Sequence, residues 1–515
     1  MNNYYKLLKI LCITSLILPL FAQETEDEQE GLEIVVTTAT KTEKDILDTS
    51  QAVTALSGSQ LLELGLNNIR DLNNMIPGLY VQNTDTNAPI ITLRGIRTEN
   101  VTELGDPAVG IHVDGVYVAR PQAANALMFD LERTELTRGP QGTLYGRNSV
   151  VGTLNIVTAK PNFDIQGGSL NLVGGQLSEA GLRAHYNLPI NEKLALRFAY
   201  MEQSKDSFLD GFWDGSQLDW RRLPSNVRDQ FEVITSPDQR SYLSDYAWYL
   251  GCSTLPGNGC GQGNFSDPYN KIAADPSEFY TAIEDSAWRI SATYVVDDNS
   301  DLNIQFENYE DNGKGWTNVL SCELMRTRTG ITAKDGAANT CTDILGSENR
   351  YQSFANTPGF NKMNIDSFRA IFKRQLNETT NLTVNYGYQQ LEQSSQFEID
   401  GGVNYQYGMA FNINRLLTKS NVLDAYITGA NQEWAWVGGI FTSTEDNDML
   451  ANFTAELNGH DFFWQPNREL NHYAVYGQAT YALRDDLFFT VGGRLSYDEK
   501  SDVGGRNINC NSANG

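Results

Sequence analysis

The chain has 515 residues, a formal net charge of -26 and 40% hydrophobic residues, with a mean hydropathy of -0.39. So acidic a chain argues against a nucleic-acid partner and fits solvated, acidic loops. Its one long apolar stretch is N-terminal, which excludes helical membrane spans elsewhere and leaves a soluble β-rich protein or a transmembrane β-barrel.

Met1 to Ala22 reads as a signal peptide (1–22): Lys6 and Lys9 precede an apolar core from Ile10 to Phe21, and Leu20-Phe21-Ala22 is an acceptable cleavage site. Cys12 belongs to that segment. An acidic, flexible lead (Glu24 to Glu30) is followed by the extended run Glu33-Ile34-Val35-Val36-Thr37-Thr38-Ala39. Two short helices come next. Ser57 or Ser59 caps one through Leu64 with Gly65 as its stop, and a second fits Asn68 to Met75 before Pro77. Leu61, Leu62, Leu64, Leu66, Ile69, Leu72 and Ile76 are expected to cover one face of neighbouring strands. Val113-Asp114-Gly115-Val116 is a hairpin signal. From Leu131 to Pro161 glycines sit among β-formers, in Arg138-Gly139-Pro140-Gln141-Gly142 and Gly152-Thr153-Leu154, which predicts tight turns between short strands. A phosphate cradle would need a Gly-rich loop ending in Gly-Lys-Ser/Thr and a long following helix, and neither is present.

Taken in order, Pro77-Gly78-Leu79, Ile91-Thr92-Leu93-Arg94-Gly95, Val113-Asp114-Gly115-Val116 and the Arg138–Thr158 segment closely resemble the plug domain of TonB-dependent outer-membrane receptors. The resemblance implies a plug domain at 40–161, behind a lead with a TonB box at 23–39, and then a β-barrel. The box is Glu33, Ile34, Val35, Val36, Thr37 and Thr38, where the periplasmic TonB protein adds a strand; the alternative is an ordinary first strand. The resemblance also assigns a plug latch to Arg94 and Arg138, with Gly139 and Pro140, in which the two arginines pair with barrel glutamates. Local backbone contacts are the bland alternative. His112, beside the hairpin, is read as a packed structural residue rather than a ligand contact.

Beyond Gly167 the period is two. Leu194, Leu196, Phe198 and Tyr200 oppose Ala195, Arg197 and Ala199, and Trp288, Ile290 and Tyr294 oppose Arg289, Ser291 and Thr293. Alternation alone fits a soluble sandwich as well as a barrel. The connections separate the two. Very short turns are expected at Pro189 to Lys193, Asp297 to Ser300, Asn377 to Asn381, Ala430 to Glu433 and Arg484 to Asp486. Between them lie mostly long segments, of about 80 residues after Gln203, about 50 after Glu310 and about 25 after Gln393 and after Asp446; only the first connection, Gly174 to Glu179, is short. Sorting of short and long connections to opposite ends is a property of outer-membrane barrels. The 24 tyrosines and 8 tryptophans suit aromatic girdles.

All five cysteines outside the signal then fall in long loops. The expected disulfides are Cys252–Cys260 and Cys322–Cys341, with free thiols as the alternative and Cys510 left over. About eleven strands are counted between 162 and 515, against about 22 in the family's barrel, so the reading is a truncated barrel.

No enzyme is expected. Four histidines (His112, His185, His460, His472) show no metal spacing, and no Gly-x-Ser-x-Gly elbow occurs. No cofactor or metal site is assigned. The resemblance implies energy-coupled import across a Gram-negative outer membrane, in contact with its lipid. It also implies a TonB partner with an inner-membrane energising complex and a small-molecule ligand, with a ferric siderophore favoured. Cobalamin, haem and oligosaccharide, or a surface-binding receptor that does not transport, are the alternatives.

Overall fold

The fold is that of a computed structural model, which describes residues 36–37, 41–42, 44–45, 49, 51–66, 68–83, 89–98, 105–214, 271–273, 275–317, 352–355, 359–398, 409–455, 459–484 and 486–509. A small N-terminal domain sits in the concave face of one large antiparallel sheet.

The domain opens with two short paired strands, β1 (Val36–Thr37) and β2 (Lys44–Asp45). Strand β3 (Ala52–Ser57) runs into helix α1 (Gly58–Glu63). Ser57 caps it: its Oγ accepts from the Gln60 N–H (3.3 Å), while Gln60 Oε1 accepts from the Ser57 N–H (3.0 Å). Gly65, at φ +64°, ends the turn that follows. The second helix forms as a 3-10 helix, Ile69–Asn74, capped by Asn68 and Asp71. Leu61, Leu66, Ile69, Leu72 and Ile76 are buried as expected, but Leu62 and Leu64 are 46% and 53% exposed. A helix this short presents only one narrow stripe to the core, and these two positions fall outside it.

Strands β4 (Leu79–Asn83) and β5 (Pro89–Leu93) form a separate hairpin. Then come β6 (Val109–Val113), β7 (Val116–Val118), β8 (Leu131–Arg138) and β9 (Gly152–Thr158). With β3 they make a five-stranded sheet in the order β3-β8-β9-β6-β7, in which only β6 and β9 are parallel. At the hairpin between β6 and β7, Asp114 and Gly115 both take positive φ (+50° and +82°), as a two-residue turn matched to strand twist requires. Gly152 has no room for a side chain: a Cβ would lie 2.3 Å from the Thr137 carbonyl oxygen. Leu93, Ile111, Leu136, Leu154 and Ile156 form the fully buried centre.

The large sheet contains eleven strands joined neighbour to neighbour: β10 (Gly167–Gly174), β11 (Ala180–Asn191), β12 (Leu194–Lys205), β15 (Ile283–Asp297), β16 (Ser300–Asp311), β18 (Phe360–Asn377), β19 (Thr380–Glu398), β20 (Met409–Ala430), β21 (Trp434–Ala455), β22 (Gly459–Arg484) and β23 (Leu487–Asn509). Strands β13 (Asp210–Asp214), β14 (Lys271–Ala273) and β17 (Gln352–Ala355) form a small separate sheet that joins the connections after β12 and β16. All five predicted short turns are present. Several are built on side-chain-to-backbone turns: Asn191, Asn377 and Asn431 each accept a backbone N–H two residues on, at 2.8, 3.0 and 2.9 Å.

Two connections differ from expectation. The segments after Gln393 and Asp446 are mostly strand, since β19 and β21 run on to Glu398 and Ala455 and their partners begin at Met409 and Gly459. Register shifts at Gln393/Ser395, Ile413/Arg415, Asn447/Met449 and Trp464/Asn467 interrupt the alternation there. A bulge inserts an extra residue, flips the parity and hides a continuing strand from a period-two reading.

The two faces of this sheet are inverted relative to a soluble protein. Trp288, Ile290 and Tyr294 are 41 to 45% exposed, while their neighbours Arg289 and Ser291 are 1% exposed. Aromatic and aliphatic side chains point outward and charged ones inward against the domain, the polarity of a barrel wall in lipid. The cysteine pairs Cys252–Cys260 and Cys322–Cys341, with Cys510, lie outside the described residues, as does the segment 1–22.

Candidate functional site at the seam between domain and sheet

What the arrangement can do depends on how the domain is held. On the β12 to β18 wall the sheet supplies arginines. Arg197 grips Asp130 with two bonds, Nε to Oδ2 (2.9 Å) and Nη2 to Oδ1 (2.6 Å). Arg289, 1% exposed, lies over the Phe129 ring at 4.4 Å and donates to the carbonyls of Phe129 (3.2 Å) and Asp130 (3.1 Å). It also donates to Glu307 (2.6 Å), which accepts from Arg369 as well (2.9 Å). Arg369 reaches toward the hairpin carboxylate of Asp114 (3.9 Å) and donates to Gln305 (3.1 Å). Asp114 in turn accepts from the N–H and hydroxyl of Thr158, at 3.0 and 2.8 Å, and Gln305 donates to the same hydroxyl (3.0 Å). A continuous chain of buried ion pairs thus fastens the turn at 129–130, the hairpin tip and the last domain residue. Such charges persist in the interior only because each is paired and hydrogen-bonded. Nearby, Gly387 on β19 leaves the space that Val116 fills: an added Cβ would lie 2.4 Å from its Cγ1.

The β20 to β22 wall holds the domain differently. Arg120 pairs with Glu445 on β21. Lys41 pairs with Asp424 on β20 and donates to the Tyr476 hydroxyl (2.9 Å), which itself donates to Asp424 (2.7 Å). The ammonium lies 4.7 Å from the ring centres of both Tyr426 and Tyr476, and 5.8 Å from Tyr145. Burial pushes Lys41 below the ordinary lysine range, against the opposing pull of Asp424. His112, in contact with Tyr145 (ring centres 4.8 Å apart), is held neutral: burial, with Lys41 and Arg494 nearby, lowers it to about 3.

Between the two walls the seam is open. A cavity of about 790 Å³ lies at the short-turn end, bordered by Lys41, Arg133 and Tyr145 of the domain and by Asp297, Lys373 and Thr383 of the sheet. At the opposite end Arg70 stacks on Trp316 (4.9 Å). Gln203 there donates to Asp285 (2.8 Å).

The sequence-assigned residues are distributed unevenly over this seam. Of the proposed strand-addition segment, Val36 and Thr37 are described. They pair with Asp45 and Lys44, and buried Thr37 donates to Glu135 (3.1 Å). Glu33, Ile34, Val35 and Thr38 lie outside the described residues. Arg94 is exposed, at φ +52°, with its backbone N–H on the Gly78 carbonyl (2.8 Å). Arg138 ends β8 opposite Ala52 and Gly152, followed by Gly139 (φ +106°) and exposed Pro140. Among the described residues neither arginine forms an ion pair with a sheet carboxylate; the pairs that cross the seam use domain residues such as Lys41, Asp106, Asp114, Arg120, Asp130 and Arg147. For Arg289 a signal existed: an arginine between outward Trp288 and Ile290 must face inward.

Three comparisons bear on this architecture. The family model for the TonB-dependent Receptor Plug Domain matches residues 45–153. The pesticin receptor of Yersinia pestis is 32% identical over 187 residues, covering 36% of this chain and 27% of the relative. The ferrioxamine B receptor of Salmonella typhimurium is 29% identical over 202 residues, covering 37% and 27%. The matched stretch is thus about a quarter of these relatives' length. Among solved structures, the ferric yersiniabactin uptake receptor from Yersinia pestis superposes with a TM-score of 0.61 at 14% identity, covering 89% of this chain and 61% of that one.

Proposed function

We propose that this chain, which belongs to the TonB-dependent receptors of the Gram-negative outer membrane, imports a ferric siderophore or similar iron complex. The observation that carries the reading is a sheet with lipid-facing polarity whose concave side is filled by a folded domain tied down by buried ion pairs. A lumen so filled passes nothing until the domain moves, and the outer membrane holds no gradient to move it. Energy must come by contact from the periplasmic side. By the barrel convention, that is the side of the short turns, and Lys41 and the 790 Å³ cavity lie there.

In this reading TonB, energised at the inner membrane, captures the segment Glu33–Thr38 by strand addition. The ferrioxamine B receptor supports the iron-complex assignment by its name. The outer end, with Arg70 stacked on Trp316, offers the cationic and aromatic surface that an anionic complex selects. Arg94 and Arg138 would act in the plug latch through partners other than the seam pairs described above.

Val36→Pro tests the mechanism, because proline removes one ladder donor. Uptake of a panel of ⁵⁵Fe-loaded siderophores should be lost while surface binding persists. Unchanged uptake overturns the box assignment. Uptake of haem, cobalamin or an oligosaccharide, with no siderophore taken up, overturns the iron assignment.

A further inference from the structure

We propose that Arg197, Arg289 and Arg369 form a latent binding site for the anionic groups of the cargo, occupied at rest by the plug's own Asp130 and Asp114. The proposal rests on the transport reading above and names the stretch of wall that an anionic iron complex follows.

The distribution of charge carries the argument. On β12 to β18 the wall sets these three arginines against one glutamate, Glu307, and the plug supplies the two carboxylates that balance them. On β20 and β21 the roles are reversed: the wall brings Asp424 and Glu445, and the plug brings Lys41 and Arg120. With the plug displaced, the lumen is therefore positive at the first wall and negative at the second, and an anion is drawn to β12–β18. Stability alone does not call for these charges, because well-packed apolar side chains of similar volume hold such a contact as firmly. A wall that meets a charged cargo has a use for them.

The plug's own contacts show what the site accepts. Asp130 lies across the Arg197 guanidinium with two bonds (2.9 and 2.6 Å), the geometry of a carboxylate on an arginine fork. It does so from φ +48°, in the left-handed region that is costly for an ordinary side chain. Beside it, Arg289 takes only the carbonyls of Phe129 and Asp130 from the plug. Its Nη2 is buried without an acceptor among the described residues, so one donor of the site stays unused. Arg369 stands 3.9 Å from Asp114, beyond hydrogen-bond reach. The plug thus fills the site incompletely, and a cargo with several anionic oxygens fills it better. The step is an exchange: a cargo anion takes the place of Asp130 on Arg197 and frees the plug without leaving a buried arginine bare. Asp114 borders the cavity of about 790 Å³, as does Lys373, four residues beyond Arg369 on the same face of β18, so the site opens toward the short-turn end.

The test is citrate block of the full receptor in planar bilayers, recorded in urea that displaces the plug and leaves the barrel's β-sheet circular dichroism intact. Citrate supplies carboxylates without iron. Its half-blocking concentration should rise about tenfold in Arg197→Gln, Arg289→Gln and Arg369→Gln, and by less in the matching lysine variants, which keep the charge but lose the fork. The three residues stand on three strands, so a folding defect in one variant leaves the other two to decide. Arg415→Gln, at a side chain 59% exposed, should match wild type. Because the plug is already displaced, a variant that merely loosens it also reads as wild type. A wild-type channel that citrate does not block overturns the proposal, as does equal block in wild type and the three glutamine variants. An equal change in block by spermidine, a polyamine cation, overturns it too, because that reports an altered pore rather than an anion site. The assay needs neither TonB nor iron. Its failure leaves the import reading standing, and failure of every siderophore in the uptake panel leaves the citrate result standing.

Discussion

The two walls that hold the plug are built on different principles. On β12 to β18, Arg289, Glu307 and Arg369 form one connected set that also holds the carbonyls of Phe129 and Asp130, and Arg197 grips the carboxylate of the same Asp130. On β20 and β21 the contacts are separate: Lys41 with Asp424, and Arg120 with Glu445. A connected network yields as a unit, whereas isolated pairs break one at a time. The connected wall holds the plug's C-terminal end, where the chain passes from Thr158 into the barrel. The separate contacts include the one nearest the proposed box. The difference teaches which side of the plug is an anchor and which can let go.

Breaking the anchor should have the largest effect. Glu307→Gln leaves two buried arginines without their shared carboxylate, and a loss of about 3 to 5 kcal/mol in plug stability is expected from protease protection of the folded receptor. A loss no larger than that of an exposed pair would mean that the wall is not a unit. Asp130→Asn removes one half of a bidentate pair while leaving the backbone carbonyls for Arg289, so about 2 kcal/mol is expected by the same assay.

pH sharpens the comparison on the other side. His112 is held at about 3 when folded, against an ordinary value of 6.5. A depressed folded value means that the neutral form is the one the fold prefers. Its contribution is therefore fully present above pH 6.5 and is lost as pH falls from there toward 3. Plug stability should drop by about 1 kcal/mol per pH unit over that window, and His112→Gln should flatten the slope. Thermal melts at pH 7.5 and 5.5 decide; an equal slope in wild type and variant removes His112 from the account. The smallest effect is expected at Arg374, whose pair with Asp297 is 46% exposed on both sides. Arg374→Ala should shift stability by no more than about 0.5 kcal/mol. A large loss there would show that the short-turn end is stiffer than its exposure implies.

Much of this fold was legible. Asp114-Gly115 specified its turn, Ser57 was one of the two caps expected for the first helix, and the five short turns followed from Asn and Asp between alternating runs. These are local signals, since each depends on residues a few positions apart. Strand extent failed where bulges at Gln393 and Asn447 reset the parity. Leu62 and Leu64 misled because hydrophobicity alone does not say which side of a one-turn helix meets the core. The seam was the least legible part. Arg289 could be assigned to the inner face by its neighbours, but its partners Phe129 and Glu307 stand 160 and 18 residues away.

By itself, then, the sequence determined the two-part architecture, the turn chemistry and which barrel residues face inward. Those properties are set by backbone preferences and period, and both are written along the chain. Only the tertiary structure decided which charges meet. Lys41 and Asp424 are 383 positions apart, and no local rule selects that pair. Burial selects it, because a charge that enters the seam must find a partner there or remain in water.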